Sequence, residues 1–400
     1  MEKQVKKTIA FIPVRGGSKS IPLKNIKQIC GKPLVQWAIE AANDCNYIDE
    51  IVVSTDSTHI KDTVANIGVS KLKVINRSPE TATDYASSEL PLLEYANLEA
   101  DRKDDIIILI QATSPLLSSE DLTKALELFH KSDADSMLSV VRQKRFLWKE
   151  INHLEATPVN YDPTRRPRRQ DYEGFLVENG AFYITYRKNL LQSQCRISGK
   201  IAYYEMPEYT YYEVDEPHDW IIVEKLLGSK VKNNYRKTID QKLKRIKLLV
   251  TDCDGVLTDG GMYYSEKGDE LKKFNTRDGM GLGLLRQHGI LTAIITGENV
   301  GLVVTRANKM KIDYVYCGIK NKLETLEKII NQENLTFDQV AYIGDDINDL
   351  EVMKKVGLSF AVNDAMDIIK KNAHYVTQLR GGQGAVREVC EMILEAQISS

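Results

Sequence analysis

Short apolar runs rich in β-branched residues alternate with stretches whose apolar residues fall at helical spacing, and this alternation leaves few folds open. Residues 9–14, 51–54, 106–111 and 137–141 read as strands, and about 32–44, 57–67, 86–100 and 119–131 read as helices. A strand that is apolar throughout is buried on both faces, and a parallel neighbour is reached only through a covering helix. The pattern therefore predicts a mostly parallel sheet covered by helices. It restarts at residue 248, with further strands at 291–295, 314–316, 340–343 and 358–362. Residues 225–247 between the two blocks are rich in Lys and Arg and hold one acidic residue, Asp240. The expected organisation is α/β with two domains, 1–230 and 246–400, joined by a basic linker helix over 231–245.

At 400 residues the chain is long enough for two cores. Lys+Arg 54 against Asp+Glu 56 gives a net charge of −2, so no global field attracts nucleic acid or an anionic membrane, and any anion site must be local. The longest aliphatic run, 106–110, is far too short to cross a bilayer, and the six cysteines show no CxxC spacing. A cytoplasmic protein with reduced thiols and without disulfides or structural zinc is expected.

The first strand runs into Arg15-Gly-Gly-Ser-Lys19, with Lys24 and Asn25 close behind. Two glycines free backbone N–H groups to turn towards an anion, and the cations add charge at the same point, which suits a triphosphate. The loop is neither a P-loop nor a dinucleotide fingerprint. Gln111-Ala-Thr-Ser-Pro115 follows an apolar strand, at the edge where open α/β sheets hold ligands. Arg165-Arg-Pro-Arg-Arg169 brings four guanidinium groups into five residues, a composition suited to carboxylate or phosphate recognition. Glu213-Val-Asp215 puts two carboxylates on one face of an extended segment, suited to Mg²⁺.

In the second block Asp252-Cys-Asp254 follows an apolar strand, so one carboxylate can attack phosphorus while the other handles the proton. Thr296 ends a second strand, Lys322 begins a helix, and Gly344-Asp-Asp-Ile-Asn-Asp349 ends a third strand with acids for a metal. Strand ends share one edge of a parallel sheet, so these pieces can meet.

Taken together, the segments 13–25, 53–56, 109–115, 166–171 and 178–183 resemble the CMP-sialic acid synthetases (N-acylneuraminate cytidylyltransferases). The resemblance implies a nucleotide-diphospho-sugar-transferase-like domain in which Arg15, Ser18 and Lys19 hold the triphosphate of CTP with Lys24 nearby. Asn25 and Ser88 would meet the cytidine, Gln111, Arg168, Asn179 and Tyr183 would line the sugar pocket, and Asp215 would hold Mg²⁺. The family pattern is Asp-x-Asp, and Glu213 stands at its first position here, so an altered metal geometry with retained activity is expected. No general base is evident from the residues; an acid such as Asp219 or a metal-bound hydroxyl is a candidate.

The segments around Asp252, 259–261, 274–281, 344–349 and 381–388 resemble the haloacid dehalogenase superfamily, of the Kdo-8-phosphate phosphatase type. That resemblance implies a cap-less domain with Asp252 as nucleophile, Asp254 as general acid/base, Thr296 and Lys322 as phosphate holders, and Asp252, Asp254 and Asp345 around Mg²⁺. The two-module order is also that of the vertebrate CMP-sialic acid synthetases, whose tail carries a degraded first motif; here the motif is intact. The expectation is a bifunctional enzyme that hydrolyses a nonulosonate 9-phosphate and transfers CMP to the free sugar acid, Neu5Ac, Kdn or legionaminate. Alternatives are a structural tail that only assembles the oligomer, or a Kdo-directed pair of activities. Neither interval between the phosphatase motifs has room for a cap, so shielding is expected from the hairpin at about 259–273 and a second subunit, in a homotetramer.

Overall fold

The computed structural model describes residues 6–83, 85–264, 266 and 270–398. The chain divides into two compact units, residues 1–231 and 232–400. No helix among the described residues is long and apolar enough to cross a membrane.

In the first unit the strands are β1 (Thr8–Pro13), β2 (Glu50–Thr55), β3 (Leu72–Asn76), β4 (Ile106–Ile110), β5 (Ser136–Gln143), β6 (Phe175–Tyr186) and β7 (Ile201–Met206). They form one sheet in the order β7-β5-β6-β4-β1-β2-β3. All neighbours are parallel except β6, which runs antiparallel to both β4 and β5. The helices are α1 (Leu34–Asn43), α2 (Thr58–Ala65), α3 (Glu89–Leu98), α4 (Ser119–Lys131), α5 (Arg187–Ser193) and the first part of α6 (Pro217–Leu243), whose residues from 232 on belong to the second unit. β4 is Ile-Ile-Ile-Leu-Ile and fully buried, as a central parallel strand covered on both faces must be. α4 starts at a reciprocal capping box between Ser118 and Asp121 and ends on His130 and Lys131, so both ends of its dipole are matched. The basic run is part of α6, which continues unbroken to Leu243. The helix expected over about 86–100 is α3, which begins only at Glu89; residues 83 and 85–88 precede it as irregular chain, and Asp84 lies outside the described residues.

The second unit has β8 (Leu248–Thr251), β9 (Leu291–Ile295), β10 (Tyr314–Tyr316), β11 (Val340–Gly344), β12 (Leu358–Ala361) and β13 (Tyr375–Val376), all parallel in the order β10-β9-β8-β11-β12-β13. Helices α7 (Thr276–Gln287), α8 (Gly301–Met310), α9 (Lys322–Gln332), α10 (Leu350–Met353), α11 (Asp367–Asn372) and α12 (Ala385–Ile398) cover it. Both sheets are Rossmann-like, and in both units the apolar core lies between sheet and helices. A small hairpin pairs Tyr263–Tyr264 with Glu270–Leu271, while Ser265 and residues 267–269 of the expected 259–273 hairpin lie outside the described residues.

One buried ion network ties the first unit together behind its sheet edge. Arg187 at the start of α5 is fully buried; it donates to the Ala96 carbonyl of α3 at 3.0 Å and to Asp105 at 3.4 Å. Asp105 also accepts from Arg102 Nε at 2.7 Å and from the Lys7 amide at 2.9 Å. Burial opposes ionisation of Asp105, and these donors outweigh it, so its pKa lies below the usual carboxylate value. Removing the acid strands a guanidinium in the core. Asp105→Ala is therefore expected to cost about 3–5 kcal/mol in urea unfolding, more than Arg187→Met, which removes the charge as well. Equal losses in the two variants would refute the assignment.

Candidate active sites

In the first unit a cavity of about 410 Å³ opens at the carboxyl ends of β1 and β4. Pro13, Arg15, Lys24, Asn25, Arg77, Ser88, Gln111, Thr113, Glu213 and Asp215 are among its lining residues. The glycine loop after β1 is held down by the Gly16 amide donating to Asp56 at 2.8 Å; a Cβ on Gly16 would stand 2.8 Å from Ser57 Cβ, so glycine is required there. Arg15 Nη1 donates to the Thr83 carbonyl at 3.1 Å, and Asn25 spends its amide nitrogen on the Arg15 carbonyl at 3.2 Å. Asn25 thus braces the loop as well as facing the cavity. Ser88 sits at the start of α3 without capping it, which leaves its hydroxyl available to a ligand.

On the opposite wall Val214 N donates to the Thr113 carbonyl at 2.7 Å, and this bond presents Glu213 and Asp215 to the cavity. The register of β6 slips between Glu178 and Tyr183, and Gly180 takes a φ of +66° there. A Cβ at Gly180 would meet Gln111 Oε1 at 2.8 Å and Glu213 Oε2 at 2.9 Å, so the missing side chain lets both approach the strand. Burial, and then the charge of Asp215, push the Glu213 carboxyl up to about 7. Lys24 Nζ reaches the Val214 carbonyl at 2.7 Å and Asp215 Oδ1 at 3.1 Å.

Other expected residues lie away from the cavity lining. Ser18 and Lys19 are on the loop outside it, with Lys19 Nζ 6.0 Å from the centre of the Tyr85 ring. Arg168 is exposed and paired with Asp171 at 2.8 Å; Arg166 lies over the Phe146 ring and Arg169 pairs with Glu208 at 3.6 Å. Asn179 is buried, with its amide nitrogen on Thr210. The Tyr183 hydroxyl donates to Glu178 at 3.0 Å beneath the Arg196 guanidinium, and burial pushes its pKa up to about 12. Asp219 accepts from the amides of Asp215 and Glu216 at the start of α6, which makes it a brace for the acidic segment rather than a group in the cavity. Arg77, just past the end of β3, is a buried cavity residue that motif reasoning missed. Its position at a parallel strand's carboxyl end was the available signal.

In the second unit Asp252 follows β8, Thr296 follows β9 and Asp345 follows β11, so all three stand at one sheet edge. Asp252 accepts from its neighbour's amide, Cys253 N, at 2.7 Å and pairs with Lys322 Nζ at 2.9 Å. Carboxylate oxygens of Asp252, Asp345 and Asp349 lie within 4.8 Å of one another. Asp349 is already satisfied: Lys322 Nζ (2.7 Å), Tyr342 OH (2.6 Å) and the amides of Asp345 and Asp346 all donate to it. It therefore positions Lys322 and the 345–346 turn. Burial, together with neighbouring acids, pushes Asp252 up to about 6 and Asp345 up to about 7. Burial opposes the Lys322 charge, but the attraction of Asp252 and Asp349 outweighs it and raises its pKa.

The Asp254 carboxylate, expected beside the metal, is outside this cluster; it is gripped by Lys272 Nζ at 2.8 and 2.9 Å. Thr296 is buried and its hydroxyl accepts from the Glu298 amide at 3.3 Å, leaving its proton to donate. Gly255, at φ +79°, is obligatory, because a Cβ there would fall 2.0 Å from Asp345 Oδ2. The Gly381–Gly382 turn closes against the same loop, with Gly382 N on the Val256 carbonyl at 2.9 Å.

Comparison with known proteins divides the chain in the same order. The signature of the cytidylyltransferase family matches residues 9–246, and that of the haloacid dehalogenase-like hydrolases matches 285–388. N-acylneuraminate cytidylyltransferase A of Danio rerio is 37% identical over 391 residues, 96% of this chain and 88% of that protein. The 3-deoxy-D-manno-octulosonate 8-phosphate phosphatase KdsC of Yersinia pestis is 47% identical over 157 residues, 39% of this chain and 84% of that protein. A crystal structure of the corresponding Moraxella catarrhalis phosphatase, in complex with magnesium, phosphate and KDO, shares 40% identity over 40% of this chain and 92% of that one, with a TM-score of 0.40. With similarity to the first relative over nearly its full length and the carboxy-terminal match to the phosphatase, the chain belongs to the N-acylneuraminate cytidylyltransferase family and carries a carboxy-terminal haloacid dehalogenase phosphatase domain of the KdsC type.

Proposed function

We propose that the two sites act in succession on one nonulosonic acid: the second unit removes phosphate from its 9-phosphate, and the first transfers CMP from CTP to the freed sugar. The observation that carries the phosphatase reading is the Asp252–Lys322–Asp349 constellation, with Asp254 on the same turn. A merely architectural tail has no use for a buried carboxylate held between a lysine and two further acids.

In the phosphatase, an Asp252 oxygen attacks phosphorus while Lys322 and the Thr296 hydroxyl hold the non-bridging oxygens. Asp254 gives a proton to the leaving sugar alkoxide, then takes one from the water that hydrolyses the phosphoaspartate and releases inorganic phosphate. In the transferase, the anomeric hydroxyl attacks the α-phosphorus of CTP, its proton passes to water, and pyrophosphate departs. Arg15, Lys19 and Lys24, with Ser18, hold the triphosphate; Asn25 and Ser88 face the cytidine. Gln111, Tyr183, Asn179 and Arg168 form or support the sugar side, Gln111 directly and Asn179 from beneath. Arg77 adds a cation within the cavity.

The donors of both acidic sets suit Mg²⁺: hard carboxylate oxygens, partly desolvated, whose mutual repulsion a divalent ion relieves. Asp252 and Asp345 would hold it in the phosphatase, and Glu213 and Asp215 in the transferase. Mg²⁺ supplies charge neutralisation at the phosphoryl oxygens. The exposed Tyr263, Tyr264 and Leu271 of the second unit's hairpin support closure of the phosphatase by another subunit, within a homotetramer. The six cysteines, all free, support a cytoplasmic setting.

The two activities should separate. Asp252→Asn should abolish phosphate release while CMP transfer to the free acid stays within a few-fold of normal. Asp215→Ala should do the reverse, lowering CMP transfer at least about a hundredfold. Loss of both activities in either folded variant would refute independent sites, and steady-state rates with Neu5Ac, Kdn and legionaminate, free and 9-phosphorylated, identify the sugar.

Stability should fall as pH rises. Glu213, Asp252 and Asp345 titrate near 7, 6 and 7 in the folded chain, above their ordinary values, so the folded state holds more protons across that interval. Their contribution is complete below the unfolded values and is lost as pH rises through 6 to 7. Mg²⁺ should therefore raise the melting temperature more at pH 8 than at pH 5, and Glu213→Gln with Asp345→Asn should flatten the difference; an equal Mg²⁺ effect at both pH values would contradict it. Light scattering at assay concentration should show a tetramer, and a fully active monomer would refute the shared closure.

A further inference from the structure

Lys24 makes two contacts that a triphosphate ligand does not need. Its Nζ sits 2.7 Å from the Val214 carbonyl oxygen and 3.1 Å from Asp215 Oδ1, with the side chain only 12% exposed. These are hard oxygen donors of the kind a divalent cation takes, drawn from the segment that carries the acidic pair. The segment itself is preset: Val214 N is tied to Thr113, and Asp219 accepts from the amides of Asp215 and Glu216. The lysine itself stands on a different segment, at the start of the short turn Lys24–Ile26 that follows the Arg15–Lys19 loop, and its four-carbon stem gives the ammonium other rotamers to take.

We infer that Lys24 and the divalent cation compete for Asp215, so that the lysine acts as an internal counter-ion which the triphosphate must draw away before the metal enters. This rests on the reading of Asp215 as a metal ligand in the transferase. The charge balance supports it. Glu213, Asp215, Lys24 and Arg15 line one cavity, and an ammonium 3.1 Å from Asp215 Oδ1 and a divalent ion at the same carboxylate repel each other strongly. Triphosphate oxygens offer the ammonium a more negative partner on its own loop, and its departure uncovers Asp215. Nucleotide and metal then bind with positive coupling, and by linkage each tightens the other.

The experiment is a titration of the full chain with Mn²⁺, followed by the electron paramagnetic resonance of the free ion, with and without CTP. Lys24→Met and Lys24→Gln should each bind one more Mn²⁺ per chain than the wild type in the absence of CTP, with affinity raised at least about tenfold at that site. Lys24→Arg, which keeps the charge, should behave as the wild type, and CTP should tighten the extra ion by a larger factor in the wild type than in Lys24→Met. If both neutral variants bind no additional ion while CTP still recruits one to the wild type, the competition is refuted and the metal site survives. If Asp215→Asn leaves the CTP-dependent ion in place, the reading of Asp215 itself is what fails.

Discussion

Parallel pairing is the constraint on which both halves of this molecule depend. A parallel strand such as β4 or β8 is buried on both faces and can be followed by its neighbour only after a helix has carried the chain back across the sheet. Every such strand therefore discharges its loop at the same edge. Arg15, Gln111 and Arg77 in one unit, and Asp252, Thr296 and Asp345 in the other, come from distant parts of the sequence and meet because of that direction alone. The antiparallel strand β6 is the exception, and it is also where the register slips and Gly180 opens space for Gln111 and Glu213.

Both sites answer the same electrostatic problem with a lysine, in different ways. Phosphoryl chemistry needs carboxylates close enough to share a cation, and such groups resist joint ionisation once desolvated. In the second unit Lys322 is buried and locked between Asp252 and Asp349, with Tyr342 and two backbone amides fixing the far acid. Its charge is permanent furniture of the site. In the first unit Lys24 rises from a loop and pairs with the exposed Asp215 at 3.1 Å. The two lysines differ in what they hold: Lys322 has an acid on either side, whereas Lys24 has one acid and a backbone carbonyl.

Much of the two sites was legible because the chemistry is carried by local motifs. The turn after β1, the Asp252-Cys-Asp254 step and the 344–349 turn each place their charges within a few residues of a strand end, where strand periodicity already says they will be. Arg77 escaped because it stands alone after a short, half-buried strand, with no neighbouring motif to mark it. Asp254 was expected at the metal, and spacing along the chain does not say which way a carboxylate turns; here it turns to Lys272, eighteen positions on. The arginine cluster at 165–169 was conspicuous in composition, yet each of Arg166, Arg168 and Arg169 has found a local partner at the surface.

What the amino-acid order alone determined was the class of fold, two mostly parallel sheets in series, and which groups are candidates for the chemistry, because apolar periodicity and strand-end motifs are local properties. What only the tertiary structure decided was which of those groups face one another. Asn179 turned out to be a buried brace and Asp219 a clamp on the Asp215 segment, while Asp349 became the hub that holds Lys322. Those roles depend on side-chain direction, and the facing of the cavity walls depends on contacts between segments a hundred or more residues apart, such as Thr113 with Val214 or Lys24 with Asp215; no periodicity along the chain encodes either.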